Sequence, residues 1–179
     1  MHTIILGMTQ SGKSSYGKII CRKLRQAGVM TYVLNPLREQ GWRCDLQTAD
    51  PDQMMAACQA SKIKKAVFLD EAGQSLARDP RFNYFCAQSR HDGCSVFAIS
   101  QRLQMVLPDL RTNTTQAVLF RCWYSEAKTL SDQFNEARLL DAAKFRQGEF
   151  FLVSAYRPLR KGMLDCRKQK IVSLIELDE

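Results

Sequence analysis

The chain has 179 residues, of which 45% are hydrophobic and 25% charged, and its formal net charge is +8. This length suits one folded domain, so we expect a single domain over residues 1–179. No apolar run approaches the roughly 20 residues needed to span a bilayer and no signal-peptide pattern follows Met1, which predicts a cytoplasmic protein. The basic balance favours a polyanionic partner, although charge alone is weak support.

The first predicted elements surround a phosphate-binding loop. Apolar residues 4–6 predict a strand, residues 13–27 predict a helix, and GMTQSGKS between them matches G-x-x-x-x-G-K-[ST], the Walker A pattern. In such a loop, backbone N–H groups and the helix N-terminus point at an anion, whereas the alternative is a turn that matches by chance. The predicted nucleotide-binding residues are Gly7, Met8, Thr9, Gln10, Ser11, Gly12, Lys13, Ser14 and Ser15.

Two side chains of this loop carry specific chemistry. Lys13 is predicted to reach the β- and γ-phosphates, and the Ser14 hydroxyl to hold Mg²⁺. The seven cysteines are scattered without a C-x-x-C pair, which predicts reduced and mostly buried thiols, and two histidines do not support a zinc site. We therefore expect metal only as Mg²⁺ that arrives with ATP.

Strands and helices then alternate along the chain. Gly28 ends the first helix, and the dipeptides Asp50-Pro51 and Asp79-Pro80 each open a further helix. The predicted strands are 30–36, 65–72, 95–101, 116–123, 149–155 and 170–177, and the predicted helices after the first are 52–61, 80–90 and 132–143. This alternation indicates an α/β fold with a mostly parallel central sheet and helices on both faces.

The strand KAVFLDEA delivers two carboxylates to the edge of the sheet where ligands bind in open α/β folds. This is a Walker B pattern, in which Asp70 is suited to hold the Mg²⁺ shell and Glu71 to polarise an attacking water as general base. The alternative is that the two residues only cap the following turn.

Gln101 ends the strand SVFAISQ. A glutamine there can contact the γ-phosphate or orient the water, and so sense whether triphosphate is present. Polar residues at strand ends are common, so a plain surface role stays open. The chain has no N-K-x-D motif of the kind that reads guanine and no marker of an acceptor pocket, which favours hydrolysis coupled to motion over GTPase or small-molecule kinase chemistry.

The chain resembles the FtsK/HerA superfamily of DNA-pumping ATPases, and within it the genome-packaging ATPases of tailless, membrane-containing double-stranded DNA viruses and phages. The resemblance rests on GMTQSGKS, VFLDEA and SRHDGCSVFAISQRLQMVLPDLRTNTTQAVLFR, and it covers roughly residues 3–123. It implies a RecA-like P-loop NTPase domain of the additional-strand catalytic-glutamate type. In that type, the Walker B strand neighbours the sensor strand, which neighbours the Walker A strand.

The resemblance also implies roles for individual residues. Lys13 and Ser14 match the phosphate and Mg²⁺ positions, Asp70 and Glu71 the metal and catalytic acids, and Gln101 the sensor. It further implies that about six subunits form a ring around double-stranded DNA. Many relatives have an acidic residue where this chain has Asn35-Pro36, which leaves the role of that strand end open.

Arg90 matches the position of an arginine finger that reaches the nucleotide of a neighbouring subunit. Such a finger neutralises charge on the transferred phosphate. Arg90 could instead complement the dipole of its own helix, and Arg102 and Arg111 are rival candidates for the finger.

The segment from Tyr156 to Lys170 is predicted to be a basic loop between two apolar strands. A hairpin tip of this kind could contact DNA in the channel of a ring without reading its sequence, and a solvated loop that protects edge strands is an equal alternative. The candidate DNA-binding residues are Arg157, Arg160, Lys161, Arg167, Lys168 and Lys170.

The function these features favour is an ATPase that translocates double-stranded DNA and packages a viral genome into a preformed capsid. Its expected partners are DNA, further copies of the chain in a ring, and a capsid vertex or portal protein. The alternatives are a Zot-like phage assembly ATPase, a plasmid DNA-transfer ATPase, and a nucleotide-dependent switch or adaptor. The chain is expected to consist of the motor alone.

Overall fold

The structure is a computed structural model that describes residues 2–70 and 80–177. Nine strands form a single sheet in the order β3-β2-β4-β5-β1-β6-β7-β8-β9. In chain order the strands are β1 His2–Leu6, β2 Met30–Leu34, β3 Leu46–Thr48, β4 Lys65–Leu69, β5 Cys94–Ser100, β6 Thr114–Leu119, β7 Glu149–Ser154, β8 Arg157–Asp165 and β9 Lys170–Glu176. The α-helices are α1 Lys13–Gln26, α2 Pro51–Gln59, α3 Pro108–Thr112 and α4 Tyr124–Phe134.

The sheet is parallel from β3 through β6, and β7, β8 and β9 extend it as antiparallel strands. The Walker B strand β4 pairs with the sensor strand β5, and β5 pairs with the Walker A strand β1. The predicted α/β class and the strand order implied by the resemblance are both confirmed. β1 is consequently flanked on both sides.

Hydrophobic side chains cover both faces of the sheet. On one face Ile4 and Leu6 pack in a cluster with residues of α2 and α4, and on the other Ile5 packs with Tyr16 and Ile19 of α1. β1 is fully buried along its length, so its side chains can alternate between the two clusters. Helices therefore hold the central strands from both sides, as the alternation of elements predicts.

The predicted helix 132–143 is wrong in its bounds. α4 already begins at Tyr124 and ends at Phe134, because Asn135 adopts a left-handed conformation with φ of 51°. A separate 3₁₀-helix follows over Ala137–Lys144, and the Glu136 side chain accepts a hydrogen bond from the N–H of Arg138 at its start. Asparagine tolerates this left-handed conformation better than most residues, which explains the break.

The basic segment 156–170 is also not the predicted loop. Most of it is β8, whose residues Leu159, Gly162 and Leu164 are buried against the neighbouring strands. Tyr156 lies in the turn before β8, and residues 166–169 form a turn that leads into β9. Only one face of β8 is covered, so its other positions can carry charged residues. These residues make the sequence look like a loop. β3 and α3 were likewise not predicted.

The predicted helix 80–90 is helical but irregular. It consists of a 3₁₀ turn over Pro80–Phe82, a π-helical turn over Tyr84–Gln88 and a second 3₁₀ turn over Ser89–Asp92. Gly93 ends it with φ of 77°, as predicted. Asp79, the proposed N-cap, lies outside the described residues. The predicted strand 116–123 stops at Leu119, and Trp123 instead caps α4.

The cysteines are mostly buried, whereas the last strand of the sheet exposes hydrophobic side chains to solvent. Five of the cysteines are buried and two, Cys44 and Cys166, are half-buried, which agrees with the expected buried thiols. β9 is the last strand of the sheet, and Val172 and Ile175 on it are largely exposed. No helix in the described ranges is long and apolar enough to cross a membrane.

His2 at the start of β1 makes stability depend on pH. Burial, followed by the positive charges of the chain N-terminus and of Arg90, lowers the pKa of His2 from 6.5 to about 4. A histidine that is neutral when folded but protonated when unfolded costs stability as pH falls through this window. Full stability is therefore present above pH 6.5 and is lost towards pH 4.

We expect the free energy of unfolding to fall by about 2 kcal/mol between pH 7 and pH 5 because of His2. Urea unfolding at both pH values measures this change. The His2→Asn protein, which cannot titrate there but keeps a polar acceptor beside the N–H of Val96, should lose most of the pH dependence. An equal fall in both proteins would mean that His2 is not its source.

Candidate nucleotide-binding site

The predicted phosphate loop follows β1 and is held by both neighbouring strands. The N–H of Gly7 donates to the carbonyl of Ser100 at the end of β5 at 3.3 Å. On the other side, the N–H of Met8 donates to the carbonyl of Arg121, just beyond β6, at 2.7 Å. Because both contacts come from the backbone, the course of the loop is fixed by the sheet.

The loop then turns sharply into α1. Gln10 and Gly12 have positive φ values of 62° and 120°, and α1 begins at Lys13. The Nζ of Lys13 donates to the carbonyl of Met8 at 2.8 Å, so the side chain folds back over the loop. Backbone N–H groups at a helix start and a lysine ammonium are the donors that bind phosphate.

The third side of the loop is built by the C-terminal strands. The N–H of Gly148, at the start of β7, donates to the carbonyl of Ser11 at 3.1 Å, and the Nε2 of Gln147 donates to the carbonyl of Gln10 at 2.9 Å. A cleft of about 200 Å³ lies here, between the loop and this edge of the sheet. It is lined by Gln10, Gly12, Lys13, Ser14, Ser15, Gln147 and Cys166.

Gln147 and Cys166 were not predicted as site residues. They lie far along the chain from the phosphate loop, and no motif marks them. The sheet brings them to the loop because β7 pairs with β6 and β8 with β7, beside β1. Only the position of the antiparallel strands could have indicated them.

Asp70 lies directly after β4 and is 2% exposed. Its N–H donates to the carbonyl of Leu34 at 3.0 Å, and its Oδ2 accepts from the Nδ2 of Asn35 at 3.3 Å. Asn35 is held in turn by the N–H of Glu39, which donates to its Oδ1 at 3.2 Å. Asn35, whose role the sequence left open, thus orients the Walker B carboxylate through its amide.

The donor set suits Mg²⁺ with a nucleotide. A buried carboxylate at Asp70 and a hydroxyl at Ser14 supply the oxygen ligands that Mg²⁺ prefers, and nucleotide phosphates and water complete such sites. Glu71, the predicted general base, lies outside the described residues. Its role therefore stays a prediction.

Gln101 lies immediately after β5 and contacts the loop. Its Oε1 accepts a hydrogen bond from the Oγ1 of Thr9 at 3.1 Å. The end of the proposed sensor strand is therefore joined to the phosphate loop by side chains as well as by the backbone contact of Gly7. This placement is consistent with the γ-phosphate sensor predicted from the sequence.

Arg90 lies at the opposite end of the sheet from this site. It is exposed, its Nη2 donates to the Oδ1 of Asn113 at 3.3 Å, and its charge acts on His2 at the start of β1. β5 separates it from Gln101 by roughly 20 Å. It therefore lies far from the nucleotide site of its own subunit.

The two rival arginines lie elsewhere. The guanidinium of Arg102 lies over the ring of Trp123, 5.3 Å from its centroid, just beyond the sensor residue. Arg111 belongs to α3 and lines a cleft with Arg102 and Glu126. Arg102 is thus beside the nucleotide edge of its own subunit, whereas Arg90 is not.

The candidate DNA-binding residues do not form one cluster. Arg157 begins β8, whereas Arg167 and Lys168 lie in the turn after it, so the length of the strand, roughly 26 Å, separates them. Between these ends, Lys161 lies 3.4 Å from Glu149 in an ion pair. Arg160 lies within β8, and Lys170 begins β9.

Comparison with solved structures gives several matches of low sequence identity. The genome packaging NTPase B204 of Sulfolobus turreted icosahedral virus 2, in complex with AMPPCP, is 15% identical, with a TM-score of 0.69 over 99% of this chain and 97% of that chain. VirB4 of Thermoanaerobacter pseudethanolicus is 10% identical, with a TM-score of 0.65 and 87% of each chain covered. No protein-family model and no curated protein matches the sequence.

The fold is that of a P-loop ATPase. The conjugation coupling protein TcpA of pCW3, determined with ATPγS, also matches, at 14% identity and a TM-score of 0.62, over 87% of this chain and 57% of that chain. Since these proteins share the fold and B204 spans nearly the same length, the resemblance read from the sequence is confirmed at the level of the fold.

We expect Asn35→Ala to weaken Mg²⁺ affinity about 10-fold, because residues that orient a metal ligand typically contribute 10- to 100-fold. The measurement is nucleotide binding as a function of Mg²⁺ concentration. Gln47→Ala is the matched control. Gln47 also supports the segment that follows β2, because its Nε2 donates to the carbonyl of Glu39 at 2.9 Å, but it makes no hydrogen bond to Asp70. An unchanged Mg²⁺ dependence in Asn35→Ala would contradict the role.

Proposed function

We propose that the protein is a Mg²⁺-dependent ATPase that translocates double-stranded DNA and packages a viral genome into a preformed capsid. The observation that carries the proposal is the convergence of Lys13, Asp70 and Gln101 on one edge of the sheet. Lys13 begins α1 after the loop that follows β1, Asp70 follows β4, and Gln101 follows β5, and these three strands are adjacent in the sheet. Together they provide the charge, metal ligand and sensor that phosphoryl transfer from ATP requires.

Each residue has a distinct part in the proposed reaction. Lys13 and the N–H groups at the start of α1 hold the phosphates, and Ser14 and Asp70 hold Mg²⁺, which neutralises charge on the phosphate oxygens. Glu71 accepts a proton from the attacking water, so that the water oxygen can bond to the γ-phosphorus as the bond to ADP breaks. Gln101 reports through Thr9 whether the γ-phosphate is present.

Packaging is favoured over the alternatives by the extent of the structural likeness. The likeness to B204, a genome packaging NTPase, covers 99% of this chain at a TM-score of 0.69, whereas the likeness to TcpA, a conjugation coupling protein, covers 87% of this chain at a TM-score of 0.62. A plasmid DNA-transfer ATPase remains the second candidate, because TcpA shares the fold. In the packaging function the protein works in the host cytoplasm, at a capsid vertex or portal.

The proposed motor assembles as a ring, most simply a hexamer, around DNA. The position of Arg90 supports this arrangement, because Arg90 lies at the edge of the sheet away from its own site. If subunits pack head to tail, this edge can meet the nucleotide of the neighbour. Arg90 then acts as the finger and Arg102, held over Trp123, stays within its own subunit.

We expect the purified protein to hydrolyse ATP faster with long double-stranded DNA, and the stimulation to rise steeply with protein concentration. Steady-state hydrolysis at stated salt measures the stimulation by DNA and its dependence on protein concentration. Hydrolysis that responds to neither DNA nor protein concentration would instead indicate a switch or adaptor.

We expect Lys13→Ala to abolish nucleotide binding, and Glu71→Gln to keep nucleotide binding but lower the rate of hydrolysis at least about 100-fold.

We expect Arg90→Ala subunits to regain activity when mixed with Glu71→Gln subunits. Each protein alone should be nearly inactive, but a mixed interface pairs an intact Glu71 with an intact Arg90 of the neighbour. Arg102→Ala mixed with Glu71→Gln is the control, because Arg102 lies beside its own site. No recovery in assemblies shown to be mixed would rule out Arg90 as the finger.

A further inference from the structure

β1 divides the candidate site into two sides of different chemistry. On the side of β4 and β5 are Asp70 and Gln101, which act on the γ-phosphate in the proposed function. On the side of β7 and β8 are Gln147 and Cys166. A nucleoside triphosphate bound by the central loop has its γ-phosphate towards the first side, so its nucleoside points towards the second.

The second side, which we call the nucleotide wall, consists of Gln147, Gly148, Leu164 and the turn over residues 166–169, and hydrogen bonds hold it in place. The N–H of Leu164 donates to the carbonyl of Gly148 at 2.8 Å, which fixes the end of β8 beside the residue that holds the phosphate loop. In the following turn, the Oδ1 of Asp165 accepts from the N–H groups of Arg167 and Lys168 at 3.0 and 2.9 Å. The Nη2 of Arg22 in α1 donates to the carbonyl of Gln169 at 3.3 Å. The turn is therefore attached at both ends.

The wall reaches the phosphate loop itself. A Cβ placed on Gly12 would lie 3.1 Å from Cδ2 of Leu164 and 3.3 Å from Sγ of Cys166. Cys166 is therefore next to the loop residue that precedes Lys13. A ligand that extends beyond the loop on this side must pass Cys166.

We propose that the turn joining β8 and β9 forms the nucleoside end of the site, where Gln147 and Cys166 contact the base or ribose of the bound nucleotide. The inference rests on the proposed ATPase function and adds the residues that recognise the nucleoside. The Nε2 of Gln147 is oriented by the carbonyl of Gln10, and its Oε1 provides an acceptor for an amino group or hydroxyl. Cys166 provides a small apolar contact surface.

This assignment also divides the basic residues of the C-terminal strands by position. Arg167 and Lys168 lie in the turn beside Cys166, because their backbone N–H groups donate to the Oδ1 of Asp165. Arg157, at the far end of β8, does not lie there.

The test is the rate at which a maleimide labels Cys166, measured by peptide mass spectrometry. Cys44 is an internal control: burial raises the pKa of both thiols, and both side chains are half-buried. Cys44 neighbours Asp45, which pairs with Arg25 near the end of α1, opposite the phosphate loop. Labelling at pH 8 lets both thiols react at measurable rates.

The probes are MgADP and Mg²⁺ with inorganic tripolyphosphate, which has phosphates but no nucleoside. At concentrations that saturate binding in calorimetry, we expect MgADP to slow labelling of Cys166 at least about 5-fold, tripolyphosphate to slow it much less, and neither to affect Cys44. Equal protection by both probes, or no protection by bound MgADP, would overturn the inference. Failure of both probes to bind would overturn the proposed function itself.

A second measurement tests Gln147. We expect Gln147→Ala to raise the Kd of MgADP about 5-fold and the Kd of tripolyphosphate much less, because the larger loss is the contact with the nucleoside. The control is Arg157→Ala, which also truncates an exposed side chain on these strands but at the far end of β8. If Gln147→Ala weakens both probes equally, Gln147 only supports the loop through Gln10, and direct contact with the nucleoside is wrong.

Discussion

The structure depends on one constraint, which is that the phosphate loop leaves the sheet between two paired strands. β1 has β5 on one side and β6 on the other, so backbone hydrogen bonds reach Gly7 and Met8 from both directions. β7 adds a third contact at Ser11. N–H groups held in place by a buried framework bind an anion without a large cost of ordering, which is the advantage of preorganisation.

The position of β1 between β5 and β6 also separates the residues proposed to act on the γ-phosphate from those proposed to contact the nucleoside. The strands before β1 in the sheet order supply a carboxylate, its supporting amide and a glutamine, all suited to the γ-phosphate. The antiparallel strands after it supply an amide and a thiol at the other side of the loop. In the proposed function a nucleotide lying across the loop spans both groups, so substitutions beside Gln147 and Cys166 would alter the base preference without altering the residues at the γ-phosphate.

Local patterns explain what the sequence predicts well. The Walker A segment, α1 and the strand that leads to Asp70 follow from short runs of residues, and the structure has a loop, a helix and a strand at these places. The break at Asn135 could not be predicted, because a single residue in a left-handed conformation decides it. The many charged residues of β8 led to the prediction of a loop instead of a strand. Gln147 and Cys166 lie beside the phosphate loop only because β7 and β8 pair next to β6. Asn35 was noticed as a departure, but its contact with Asp70 needed the structure.

The two edges of the sheet are unequal. β3 at one edge has 3 residues, whereas β9 at the other has 7 and exposes Val172 and Ile175. A short edge offers few backbone groups to a neighbouring chain, whereas a long apolar one offers many. Among the described strands, β9 is the longer of the two outer strands of the sheet. Two molecules joined through β9 would therefore expose only the short β3 edge of each, which offers a further copy few backbone groups to pair with.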